Sequence, residues 1–130
     1  MTNIQPEEYS KYRLQRAKET ILEVETLIAN GFWNTAISKM YYACFYAISA
    51  LLIKNGIEVS THAGTRQLFG KVFVKEGRFD KSLAKHYTEL FEKRNKGDYN
   101  DFFDYDEETT LSLLQPTKDF IKAIENLLNE

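Results

Sequence analysis

Along residues 80 to 96, DKSLAKHYTELFEKRNK, the apolar positions Leu83, Tyr87, Leu90 and Phe91 recur at helical spacing, and Arg94 stands eleven residues after Leu83. Eleven residues turn an α-helix through about 1100°, within about 20° of three full turns, so Arg94 continues the face that Leu83, Tyr87 and Phe91 bury. A guanidinium on an apolar face requires a partner. Asp98, four residues on, offers a local ion pair. The same neighbourhood also makes a site: the guanidinium fork matches a phosphate, with Asn95, Asp98 and Tyr99 beside it at the mouth of a cleft.

His62 is the second candidate. It follows the hydroxyl caps Ser60 and Thr61 and precedes Ala63-Gly64, which puts it in the first turn of a short helix, with Arg66 one turn further along. Free amide donors and the positive end of the dipole suit an anion there. A turn or capping role is the ordinary alternative for such a histidine. His86 lies eight residues before Arg94, about 12 Å away along the axis and about 80° around it, so the two cannot serve one reacting atom within a single chain.

Several chemistries find no footing. The chain has no G-x-S-x-G, P-loop, dinucleotide glycine pattern or H-E-x-x-H. Two histidines and a single Cys44 inside an apolar helix do not make a transition-metal site. Asp98, Asp101 and Asp104 lack the central Gly and terminal Glu of a calcium loop. No cofactor is expected. The Tyr41-Tyr42 and Phe45-Tyr46 pairs read as core or dimer interface in preference to a base-stacking surface.

The elements that must position these residues are helices. Residues 34 to 55 form a helix in which, from Met40 to Ile53, only Ser49 is clearly hydrophilic. A helix apolar all round must be buried all round, and a second copy of the chain is expected to cover part of it. The run falls short of the ~18 apolar residues of a membrane span, so it reads as a core helix. Residues 6 to 30 form an amphipathic helix with Leu14, Ala17, Ile21, Val24 and Ile28 inward, and Gly31 and Gly56 end the first two helices. Asn34 is expected to cap the second.

Residues 57 to 59 cross over to a third helix, capped by Ser60 or Thr61 and running to about Lys75, with Leu68, Phe69, Val72 and Phe73 inward. Asp80 caps the fourth, and Gly97 is expected to end it. A loop over residues 98 to 105 leads to Asp106, the cap of a fifth helix with Leu111, Leu114, Ile121, Ile124 and Leu128 inward. Pro116 removes the donor for the Ser112 carbonyl, so a kink or break is expected near Gln115.

With 130 residues, 43% of them hydrophobic, the chain reads as one globular domain over residues 1 to 130. MTNIQPEEYS carries no basic segment followed by an apolar one, so neither a secretory signal nor a membrane anchor is assigned, and a cytoplasmic location is expected. The net charge of -2 argues against a generic nucleic-acid binder, yet it hides a segregation. Residues 62 to 96 carry nine Lys or Arg against four acids, and residues 98 to 130 carry nine acids against two lysines. One end can attract phosphate. The bland alternative is that the two faces neutralise each other in the fold.

Taken together, SKMYYACFYAISALLIKNGIEVSTHAG, then GRFDKSLAKHYTELFEKRNKGDY, then an acidic cap and a last helix resemble the HEPN family of higher eukaryotes and prokaryotes. The resemblance spans nearly the whole chain. It is carried by Tyr41-Tyr42-Ala43-x-Phe45, His62-Ala63-Gly64 and Arg94-Asn95-Lys96-Gly97-Asp98-Tyr99, and it points to a small stand-alone branch with R-x-x-x-D-Y.

The resemblance implies an all-α, up-and-down antiparallel bundle of four to five helices that forms a homodimer, with a cleft between subunits lined by the Arg end of helix 4. Many such proteins are metal-independent ribonucleases or toxins that use an Arg followed by a His after four to six residues, and many are encoded beside a minimal nucleotidyltransferase. Arg94-Asn95 matches the start of that motif, but Tyr99 stands where the His is expected. An unperturbed Tyr titrates near ~10 and makes a poor base at neutral pH, although it can donate a hydrogen bond or stack on a base.

The expectation is therefore a nucleotide- or RNA-binding module in a toxin–antitoxin-type system. Arg94 would grip a phosphate, Asn95 and Tyr99 would position it, Asp98 would orient Arg94, and His62 and Arg66 would line the cleft. Two alternatives stand beside it: an endoribonuclease toxin using Arg94 and His62, and a structural dimer that docks a partner through its last helix.

Overall fold

The computed structural model describes residues 5–58, 60–100 and 103–130; Asp101 of the carboxylate trio, Val59 of the crossover and the first four residues of the N-terminal segment lie outside them. Five α-helices make up the chain: α1 (Pro6–Ala29), α2 (Trp33–Lys54), α3 (His62–Phe69), α4 (Lys81–Tyr99) and α5 (Glu107–Leu128), with a π-helical turn over Gly70–Val74 after α3. No strand occurs among the described residues.

Pairs of residues across the interfaces fix the direction of each helix. Ser10 donates to the Ala50 carbonyl at 2.7 Å and Lys39 pairs with Glu23 at 3.5 Å, so α1 and α2 run antiparallel. Lys18 meets Glu125 and Lys118 meets Glu25, which sets α5 antiparallel to α1. Tyr87 on α4 stacks on Tyr41 while Gly97, ten residues on, approaches Asn34 near the start of α2, so α4 opposes α2 and with it α5, which runs the same way as α2. The result is an up-and-down bundle of α1, α2, α4 and α5, with α3 and the π-turn as the long crossover.

Gly31 and Gly56 stop α1 and α2 at positive φ (76° and 72°), and the amides of Phe32 and Ile57 return to the carbonyls of Leu27 and Leu52 at 2.9 Å each. Half of α2 is fully enclosed: Ala36, Ile37, Met40, Tyr41, Ala43, Cys44, Ala47, Ile48, Ala50, Leu51 and Leu52 are buried. By length and composition α2 could cross a membrane, with mean hydropathy 1.4 over its most apolar window, but 61% of that window is buried inside the bundle. Its remaining face, Tyr42, Phe45, Tyr46, Ser49 and Ile53, is only half-buried, so a single chain covers most of the helix and leaves one stripe open.

Several sequence expectations are corrected. Phe32, not Asn34, occupies the cap of α2; Asn34 instead takes the Tyr105 amide at 2.7 Å and donates to the Phe103 carbonyl at 3.0 Å, pinning the α4–α5 connection. Gly97 does not end α4, which continues to Tyr99: a β-carbon at Gly97 would lie 3.4 Å from the Tyr105 ring, so the residue marks a close approach rather than a stop. Of the kink or break expected near Gln115, the break does not occur, since α5 runs through Pro116. Ser112, whose carbonyl loses its donor, is exposed, so water can take that bond, while Phe120, Ile121 and Ile124 hold the second half in the core.

Leu111 is 45% exposed; Thr110, Leu113 and Thr117 face inward in its stead. The expected third helix divides at Gly70 into α3 and the π-turn; Thr65, Phe69 and Phe73 are its buried residues, and Leu68 and Val72 are half-buried. Thr61 caps α3, accepting from the Gly64 amide at 2.9 Å, and Asp80 caps α4, accepting from the amides of Ser82 and Leu83.

Candidate functional site

The site is assembled on the open stripe of α2 by side chains from α3 and α4. Tyr41 and Tyr42 are adjacent on α2, and the Arg94 guanidinium sits over both rings, 5.1 Å and 5.0 Å from their centroids. Its side chain is 14% exposed, so it neither waves in bulk solvent nor lies sealed in the core. Asp98 pairs with it, Oδ2 lying 3.4 Å from Nε, which is the local ion pair that the spacing allows. That contact is off line for a hydrogen bond, and the buried Nε has no acceptor among the described residues.

His62 stands on the other side of the same tyrosines. Its ring stacks on Phe45 at 4.3 Å and meets Tyr42 edge-on at 6.0 Å. The Tyr41 hydroxyl lies 2.7 Å from His62 Nδ1, and the Tyr87 hydroxyl donates to that of Tyr41 at 3.3 Å. That contact occupies Nδ1, so Nε2 is the ring nitrogen without a partner among the described residues. Burial pushes the Tyr41 and Tyr87 phenols above their ordinary range, so both stay protonated donors. Burial and then the Arg94 charge hold His62 below the ordinary histidine range, so at neutral pH it is an uncharged ring.

Arg94, Asp98 and His62 are thus brought together around Tyr41 and Tyr42. Arg66 is held one step away, over Phe91 at 4.7 Å, and Phe91 packs against Tyr41 at 5.8 Å. Asn95 is half-buried and makes no side-chain hydrogen bond among the described residues. Tyr99 is not brought in: it is 76% exposed, and because α4 continues through it, five residues carry it about 140° round the helix from Arg94. His86 stays apart on the α5 side, its Nε2 2.9 Å from Thr117 Oγ1.

Sequence reasoning missed the Tyr87–Tyr41–His62 chain. The available signal was two tyrosines on faces read as buried, since a buried phenol needs a partner. No cluster of His, Cys, Asp and Glu able to hold a metal occurs among the described residues. The charge segregation survives folding as far as ion pairs show: Lys71, Lys75, Arg78, Lys81 and Lys85 pair with no acid among the described residues. The α5 acids that pair do so with lysines of α1 and α5.

A four-helix bundle with an arginine and a histidine converging on one tyrosine pair defines a helical domain with a cationic, aromatic-floored site. The HEPN domain profile matches residues 10–127, and the chain belongs to the HEPN family. A UPF0332 protein of Thermotoga maritima is 35% identical over 124 residues, covering 95% of this chain and 94% of that one. Two proteins of Methanocaldococcus jannaschii named "Putative toxin" are 27% and 28% identical, covering 88% and 90% of this chain and 78% and 87% of their own lengths.

Proposed function

We propose that this chain is a HEPN module of a toxin–antitoxin-type system that binds RNA or nucleotide phosphate at Arg94. The observation that carries the reading is the guanidinium held over Tyr41 and Tyr42 with a buried Nε that has no acceptor. The 14% of the Arg94 side chain that stays exposed is the part that can meet a phosphate oxygen, and the guanidinium fork suits it. His62, uncharged and with Nε2 free of a partner among the described residues, adds a neutral polar group beside Arg94. Asp98 orients the arginine from the solvent side. Two copies of the chain form the working unit, with the open stripe of α2 facing the cleft between them, and a minimal nucleotidyltransferase is the partner the family resemblance suggests.

Titration of short single-stranded RNA and of mononucleotides into the wild type and Arg94→Ala tests this. The variant is expected to lose at least about tenfold in affinity, as removal of a charge-assisted contact implies. Equal binding by the two proteins removes the proposal.

Cleavage is the second reading: the two Methanocaldococcus relatives carry the name "Putative toxin", and the family resemblance implies ribonuclease activity for many toxins of this kind. Tyr99, standing where the family motif expects a His, opposes it. RNA incubated with excess protein and chelator should stay intact; cleavage abolished by His62→Ala would instead establish the ribonuclease.

A further inference from the structure

Among the described residues, two buried side-chain nitrogens lack any hydrogen-bond partner: Nε of Arg94 and Nε of Arg13. The two arginines share more than that. Arg13 reaches from α1 over the rings of Tyr9 and Tyr46, 5.2 Å and 5.7 Å from their centroids, as Arg94 reaches from α4 over Tyr41 and Tyr42. Tyr42 and Tyr46 are one turn apart on α2 with rings 6.3 Å from each other. The stripe therefore carries the same unit twice, an arginine with a bare Nε laid on a half-buried tyrosine.

Beyond Arg13 the stripe opens into a groove of about 790 Å³ between α1 and the end of α2, lined by Tyr9, Arg13, Phe45, Ser49, Ile53 and Thr65 among others. Phe45 is the shared wall: it lines this groove and stacks on His62. No carboxylate lies within ion-pairing distance of Arg13 among the described residues, and Glu58, which also lines the groove, is the acid found in it. The two guanidinium groups lie over rings 6.3 Å apart on successive turns of α2, and a strand with a phosphate at every nucleotide can meet both through their exposed nitrogens. Half-exposed aromatic rings between cations are the combination that holds single strands by stacking and charge without reading their sequence.

We propose that Arg13 is a second phosphate anchor, and that the ligand is a single-stranded nucleic acid several nucleotides long, running along α2 from Arg94 into the groove. The inference rests on the reading of Arg94 given above, and its test separates the two. The affinities of uridine monophosphate and a labelled oligouridylate octamer are measured across a salt series for the wild type, Arg94→Ala, Arg13→Gln and Arg13→Lys. The Gln variant keeps most of the side-chain stem over Tyr46, and thermal melts check its fold.

The wild type should bind the octamer at least about tenfold more tightly than the mononucleotide. Arg13→Gln should bind the mononucleotide as the wild type does, lose that gain, and show a slope of log K against log salt smaller by about 0.7. Arg13→Lys should restore the slope; if it does not, the Gln variant acted through packing and the anchor is overturned. An octamer bound equally by the wild type and Arg13→Gln overturns the second anchor alone while leaving an Arg94 effect standing. Equal binding by Arg94→Ala and the wild type, or no octamer binding by the wild type, overturns both.

Discussion

Because the Tyr41 hydroxyl bonds His62 Nδ1 and accepts from Tyr87, removing it leaves an imidazole nitrogen and a phenol short of a partner together. Tyr41→Phe should therefore cost about 1–3 kcal/mol in urea unfolding, well beyond the loss of one oxygen from a surface ring. Tyr87→Phe, which removes only a donor and leaves the Tyr41–His62 bond intact, should cost less.

The two histidines also set a pH dependence. Burial lowers the pKa of both in the fold, so the unfolded chain takes up protons first. Stability is then full above the unfolded histidine pKa of about 6.5 and falls as pH drops below it toward the folded values. Chemical denaturation at stepped pH should show this decline, and NMR titration should show the His62 pKa rising in Arg94→Ala, since the neighbouring positive charge is gone. Arg94 and Asp98 were legible from helical spacing alone. The partnership with Tyr41 was not, because His62 stands 21 residues away and only the path of the crossover brings it back.

At the scale of the helix, stop signals were legible where nothing opposed them. Gly31 and Gly56 end α1 and α2 because the chain has a turn to make and only a left-handed residue makes it easily. Gly97 and Pro116 carry the same local message, and packing overrides it: α4 continues so that its last turn can lie against Tyr105 and Asn34, and α5 continues because its apolar face on both sides of Pro116 is buried.

Gly97 makes this testable. A β-carbon would meet the Tyr105 ring at 3.4 Å, ordinary contact, so Gly97→Ala should leave the melting temperature unchanged or raise it, with a gain of up to about 1 kcal/mol from helix propensity. Gly97→Leu has no room between α4 and Tyr105 and should lower it. If Ala lowers it as much as Leu does, even a methyl group lacks room there and the contact with Tyr105 is tighter than 3.4 Å implies.

For the whole molecule, the resemblance and the helical pattern made the bundle legible, but not how far one chain could cover α2. Eleven of its residues are fully buried within a single copy, and what remains open is the stripe of Tyr42, Phe45, Tyr46, Ser49 and Ile53. If two copies meet across a cleft there, sedimentation at micromolar concentration should give a dimer, and Tyr46→Glu on the stripe should weaken it. A monomer at every concentration would confine the site to one chain.

The most direct measurement on the central claim is an NMR titration that follows the Arg94 Nε–H and the His62 imidazole while a mononucleotide is added. Both signals should move together and saturate with one affinity, the Arg94 proton shifting as the guanidinium takes up a phosphate beside it. Shifts elsewhere on the surface with these two signals still, or no shift at millimolar ligand, would contradict the account.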